Sequence, residues 1–239
     1  MTSISGISGI ELATRQGHEN TSGEPLERTL FSSSEVNSNA LLALDRSLSQ
    51  QDKSDVAASF LFGQLAANAA ADKFHNPELW TKKMLDTLSG IGWSVVSESK
   101  TSPSSITAPF DWSGITMNAF NKAYGSASKL MAGTVEAATA QPAGSAAAQL
   151  WNTNTLDDGN GIYLLGLSEL DQEGEPKLSV LTSSFSLTTG TTGILAWASQ
   201  ADMATQFAVL VLNLDVYSKV RKQILERLGD RIRTEIAPI

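Results

Sequence analysis

The hydrophobic pattern changes period along the chain. In "DKSDVAASFLFGQLAANAAADKF" (52–74), Val56, Phe60, Gly63 and Ala67 recur at three- and four-residue spacing, with Leu61 and Leu65 beside them. That spacing predicts an amphipathic helix capped by Asp52 or Ser54. No charge falls between 56 and 71, so this helix is expected to pack on more than one face. "HNPELWTKKMLDTLSG" predicts a second helix. Asn76 is its N-cap, Pro77 opens the first turn and Glu78 suits the positive helix end. Trp80, Met84, Leu85 and Leu88 form its stripe, and Gly90 or Gly92 ends it. "GWSVVSES" then reads as a short strand, and "KTSPSSITAP" as a loop. A long helix is predicted over 114–140, with Ile115, Ala119, Phe120, Ala123, Ala127, Leu130, Met131 and Val135 on its inner face. "SAAAQLW" adds a short helix.

From 161 onward the pattern reads as strands. "GIYLLGLSEL", "PKLSVLTSSFSLTTG", "TTGILAWASQ" and "TQFAVLVLNLDV" are separated by short connectors. Short connectors imply antiparallel neighbours, because a parallel return needs a dozen residues or more. The fourth strand is apolar from Phe207 to Leu212 and wants cover on both sides. After it, Val216, Val220, Ile224, Leu228, Ile232 and Ile236 repeat every four residues. They predict one amphipathic helix laid against the sheet of the same molecule. The fold class is α+β: a helical N-terminal and central part packed with a C-terminal antiparallel four-stranded meander and a closing amphipathic helix. One domain is expected over 51–239, mainly helical over 51–151, with sheet and C-terminal helix over 161–236.

Composition adjusts this picture at the N-terminus. Residues 1–50 are rich in Ser, Thr, Asn and Gly with scattered apolar positions. They predict a mostly flexible region with one short helix near 40–48. The first residues lack a basic stretch followed by an apolar run, so no standard secretory signal is read there. The expected location is the cytoplasm, or outside the cell by a route that needs no signal peptide. The chain is 41% hydrophobic and carries a net charge of -8. That charge disfavours nucleic acid as a partner. A local basic patch exists nonetheless, with six Lys/Arg against three acids over 216–239. With no cysteine in the chain, disulfides, thiol nucleophiles and Cys-ligated zinc are excluded.

Candidate chemistry is sparse. His75, in a turn between two helices, is a candidate general base with Asp72 or Glu78 near it in sequence. A loop histidine that packs or caps is the better reading, since no companion motif supplies a positioned donor or an orienting partner. Asp157 and Asp158 precede one strand, and Glu169 begins an acidic cluster after it, so these carboxylates are candidates for an acid/base pair. "DDGN" (157–160) fails both calcium-loop registers and reads as a turn that launches a strand. No cofactor motif is present and no metal-ligand spacing occurs.

Three function classes follow. The first is a non-enzymatic protein-interaction protein, a candidate secreted effector, with Trp151, Trp197, Arg221, Arg227 and Arg231 as contact residues and a protein as partner. The second is a membrane-active, toxin-like protein. It rests on the uncharged run 178–201. There Leu181, Phe185 and Leu187 share one parity, and the other is mostly Ser and Thr. An amphipathic β-hairpin of this kind suits a membrane barrel, but a meander with one wet face looks the same and is the commoner structure. The third is a hydrolase with a His/carboxylate site.

Overall fold

A computed structural model describes residues 7–14, 33–101, 104–106, 112–126, 128–187 and 201–239. A hairpin of β1 (Ser34–Asn37) and β2 (Ala40–Leu44) leads into helices α1 (Gln50–Ala70) and α2 (Pro77–Gly90). Strands β3 (Trp93–Lys100) and β4 (Ser104–Ile106) follow. Helices α3 (Trp112–Tyr124), α4 (Lys129–Thr139) and α5 (Ala146–Thr155) come next. Then come β5 (Leu156–Asp157), β6 (Asn160–Leu170), β7 (Pro176–Leu187) and β8 (Ala201–Leu212). Short helices α6 (Leu214–Tyr217), α7 (Arg221–Leu228) and α8 (Arg231–Thr234) precede the last strand, β9 (Ile236–Pro238).

All nine strands join one sheet in the order β3-β8-β7-β6-β2-β1-β9, with β4 also on β8 and β5 also on β6. Among the described strands only the β2–β6 pair is parallel. Helices cover both faces. Ile162, Leu164, Leu178, Val180, Ala208 and Leu210 point into a core shared with α1, α2 and α7. Tyr163, Leu165, Leu181, Phe185, Met203 and Phe207 point into a second core shared with α3, α4 and α5. The α+β class therefore holds, with N-terminal and central helices and a C-terminal multi-stranded sheet. The apolar run of β8 has its two-sided cover, as a strand interior to such a sheet requires. The polar parity of β7 is not wet along its length: Val180 and Thr182 are buried, Ser184 is half-buried and Ser186 is exposed. The predicted strand over 191–200 lies outside the described residues.

Local signals set several boundaries. Asn76 caps α2, accepting the Leu79 N–H at 3.3 Å, and Pro77 is its first residue. The α1 cap is Ser49, in a reciprocal box with Asp52 at 3.1 and 3.0 Å; the fourfold spacing of core positions concealed this earlier start. Helix α1 is buried around its whole circumference from Asp55 to Ala67. Gly63 permits the α1–α2 approach, since a Cβ there would sit 3.0 Å from Leu88.

Three expectations are corrected. The helix near 40–48 is instead strand β2, and ordered sheet begins at Ser34 rather than after 50. Ala40–Leu44 is wholly buried, so its Leu/Ala content, which reads locally as helical, yields to pairing on both edges. The helix over 114–140 is two helices. Gly125 takes a φ of 85°, and Ser128 caps α4 by accepting the Met131 N–H at 3.1 Å. The closing helix is three short ones, interrupted at Gly229 with φ 51°. Its apolar side is nevertheless turned into the same chain: Val220, Ile224 and Leu228 are buried, and Ile232 packs beside them. Their immediate neighbour is α1, which lies between α7 and the sheet.

Candidate functional site

The catalytic candidates do not converge. His75 sits on the exposed α1–α2 turn, its side chain 64% accessible. Its Nδ1 lies 2.9 Å from Asp72 Oδ2. Asp72 Oδ1 also accepts the N–H groups of Phe74 and His75 at 2.9 and 3.1 Å. The His75 contacts hold the Asp72 carboxyl below its ordinary pKa. The pair thus closes a turn between helices.

Asp157 and Asp158 lie on a two-residue β5–β6 hairpin. Asp158 and Gly159 both take positive φ, 42° and 79°, the mirror-image turn that suits right-twisted strands. This matches the turn read from the sequence. Glu169 lies at the far end of β6. From Asn160 to Glu169 the strand spans about 30 Å, whereas paired catalytic carboxylates sit about 5–10 Å apart. Glu169 has another use: its Oε1 accepts Tyr124 Oη at 2.8 Å and pairs with Lys177 Nζ at 2.8 Å. It ties α3 to the β6–β7 ladder. Burial, reinforced by the bond to Glu169, pushes the Tyr124 hydroxyl up to about 12.

The interaction candidates are also turned inward. Trp151 is fully buried in the second core, tilted against Tyr163 with ring centroids 5.8 Å apart. It is a packing anchor and offers no surface to a partner. Arg221 donates from Nε and Nη2 to both carboxylate oxygens of Asp55, at 2.8 and 2.5 Å. Asp55 is 2% accessible, and Gln51 Nε2 also donates to it at 2.9 Å. Arg227 donates to the carbonyls of Ile7 and Ile10 and lies over the Phe62 ring. Arg231 donates to the Ala13 carbonyl at 2.6 Å and to Glu235. Half of the C-terminal basic patch is therefore engaged within the chain: three arginines staple α1 and the segment 7–13 to the last helices, while Lys219, Lys222 and Arg233 are exposed. Trp197 lies outside the described residues.

A groove of about 560 Å³ runs between α2 and β3, lined by Glu78, Leu79, Lys82, Val95, Glu98 and Lys100 among others. Of the residues singled out from the sequence for chemistry it holds Glu78, whose carboxylate accepts from Lys100 Nζ at 2.8 Å. Among the described residues no group of three His, Asp or Glu is placed to hold a metal ion. Nor is any described helix long and apolar enough to cross a membrane.

No protein family matches this sequence. No curated protein matches it significantly either. Two solved structures share a measure of its shape. A delta-endotoxin is 13% identical, with a TM-score of 0.42, and the likeness covers 82% of this chain and 94% of that one. The Evf virulence factor is 10% identical, with a TM-score of 0.31, and covers 84% of this chain and 82% of its own. Both are distant likenesses of fold at most, and neither bears on chemistry here.

The sequence missed two features. Lys73 is buried, its ammonium 5.1 Å from the Phe74 ring centroid; a lone lysine beside a helix end gives no advance sign of burial. A polar knot fills the β1–β2 turn. Gln64 Nε2 donates to Asn37 Oδ1 at 3.1 Å, and Asn37 Nδ2 donates to the Ala57 carbonyl at 3.1 Å. Asn-rich composition marked that stretch as loop, and only the sheet around it made it core.

Proposed function

We propose that the protein is membrane-active and that strands β6, β7 and β8 are the part that meets the bilayer. The observation that carries this reading is the length and two-sidedness of the strands. They have 11, 12 and 12 residues, and a tilted strand of about 9–11 residues crosses the hydrocarbon core. Their face toward α3–α5 is largely apolar, with Tyr163, Leu165, Leu167, Leu181, Phe185, Met203 and Phe207, interrupted by Ser179, Ser183 and Thr205. Across the sheet, at the Phe185 end, sit Thr182, Ser184 and Ser186, opposite Gln206, Ala204 and Asp202 on β8. The α3–α5 face suits lipid, and the other face suits water where Thr182, Ser184, Ser186, Gln206 and Asp202 lie, its remainder being the apolar positions Ile162, Leu164, Leu178, Val180, Ala208 and Leu210. In the folded state, helices α3, α4 and α5, of 13, 11 and 10 residues, occupy the place lipid would take. The reading requires that this helical layer leave the sheet at a membrane.

Dye release from neutral and anionic vesicles tests the activity, and labelling tests the strands. The chain has no cysteine, so Leu181→Cys and Thr182→Cys each carry one environment-sensitive fluorophore. On vesicles the probe at 181 is expected to blue-shift as it enters lipid, while the probe at 182 stays aqueous. Absence of leakage on both lipid types between about pH 5 and 8 refutes the proposal. Leakage with both probes unmoved refutes the assignment to these strands.

A further inference from the structure

Among the described residues the sheet ends in an unpaired edge. Strand β3 is its last member on that side, and its residues from Ser94 to Lys100 are exposed. The large apolar side chains exposed among the described residues all gather here: Leu79 at 38%, Val95 at 38% and Val96 at 59%. Leu79 and Val95 line the groove between α2 and β3. An exposed apolar strand edge is a template for pairing with another chain.

Hydrogen bonding fixes which groups of this edge are open. Thr101 N–H donates to the Thr205 carbonyl at 2.9 Å. In an antiparallel ladder the residues facing one neighbour alternate. Ser97, Ser99 and Thr101 therefore turn their backbone groups toward β8, while Glu98 and Lys100 turn theirs outward. Val96 is the extra residue where the β3–β8 register shifts between Val95 and Ser97, so the regular open edge begins after it. The two outward-facing residues carry opposite charges.

That pattern complements itself under a two-fold axis. An antiparallel pairing centred on Ser99 sets Glu98 of one copy opposite Lys100 of the other, twice. Centring on Glu98 or on Lys100 sets like charges opposite, which directly facing strand residues resist. The groove is also nearly balanced in charge, with Glu78, Asp86 and Glu98 against Lys82 and Lys100, on a chain of net charge -8. Repulsion between copies is weak at this face. Within one copy Lys100 bonds Glu78 at 2.8 Å and Glu98 accepts from Gln206 at 2.9 Å. These bonds are solvent-exposed and can be shared across an interface.

We propose that β3 and its groove with α2 form a two-fold interface with a second copy of this chain, through β3–β3 pairing centred on Ser99. The contact supplies about four backbone hydrogen bonds and two ion pairs. It is small, so the dimer is reversible, with a dissociation constant on the order of micromolar to tens of micromolar.

Charge reversal tests it. Full-length wild type is expected to sediment as a monomer–dimer equilibrium up to about 100 μM. Glu98→Lys and Lys100→Glu are each expected to raise the dissociation constant at least about tenfold, with unchanged circular dichroism showing that both fold. An equimolar mixture of the two variants is expected to recover the dimer, because each Lys then faces a Glu. Three results overturn the proposal: wild type wholly monomeric at that concentration, single reversals that dimerise like wild type, or a mixture that stays monomeric.

Discussion

Replacing Lys73 by Met should stabilise the protein at neutral pH. The residue follows α1, is 8% accessible, and has its ammonium over the Phe74 ring. Burial strips water from the charge and lowers its pKa from 10.5 to about 8; the negative charges of Glu235 and Asp72 offset this only in part. One pKa unit corresponds to about 1.4 kcal/mol, so holding Lys73 charged in the fold at pH 7 costs about 3 kcal/mol. A cation–π contact returns about 0.5–1 kcal/mol at most exposed sites and does not close that gap. The folded pKa lies below the unfolded one. The penalty is therefore fully present below about pH 8 and is relieved as pH rises toward 10.5. Met keeps the length of the side chain without the charge, so Lys73→Met should gain about 1–3 kcal/mol at pH 7 after some loss of packing. Urea unfolding of both proteins at several pH values between about 6.5 and 10 measures this directly. The difference between the two proteins isolates Lys73 from other groups that titrate in the range. Wild type should approach the variant as pH rises. A variant less stable than wild type at pH 7, or a difference independent of pH, would refute the reasoning.

Arg221→Ala should cost about 3–5 kcal/mol, because it leaves the Asp55 carboxylate buried without its cation; chemical denaturation measures it, and a loss under 1 kcal/mol contradicts the pairing. Gly161→Ala should cost about 1–3 kcal/mol, since its Cβ would meet the Phe185 ring at 2.0 Å. Adding Phe185→Leu should recover part of that loss in thermal melts. Arg231→Ala removes the donor to the Ala13 carbonyl. It should speed hydrogen exchange at the Ala13 N–H, which donates to the Leu65 carbonyl at 3.1 Å, while leaving exchange in β7 unchanged.

Much of the local structure was legible beforehand because it depends on neighbours three or four positions away. The Asn76–Pro77 start of α2, the Asp158–Gly159 turn and the apolar stripe of Val220, Ile224 and Leu228 are properties of short windows. The strand-like character of β6, β7 and β8 shows in the same way. The candidate site was not legible, since its residues draw their partners from far along the chain. Arg221 meets Asp55 across 166 positions, and Arg227 meets Ile7 across 220. Nothing in a window around an arginine says whether it ends in water or in a buried carboxylate.

Periodicity told which positions are apolar, and thereby that the chain makes helices against a sheet. In the unbroken apolar run of β8 it also called for cover on both sides, but in β7 it could not, because a serine or threonine buried under a helix and one in water have the same alternation. Burial of Ser179 and Ser183 follows from where α3, α4 and α5 come to rest. The β1–β2 hairpin makes the same point from the other direction. Its Asn and Ser residues favour turns locally, and they became interior only when β6 and β9 closed on both sides of it. Local preference is a short-range energy of tenths of a kcal/mol per residue, and the burial gained by completing a sheet is large enough to override it.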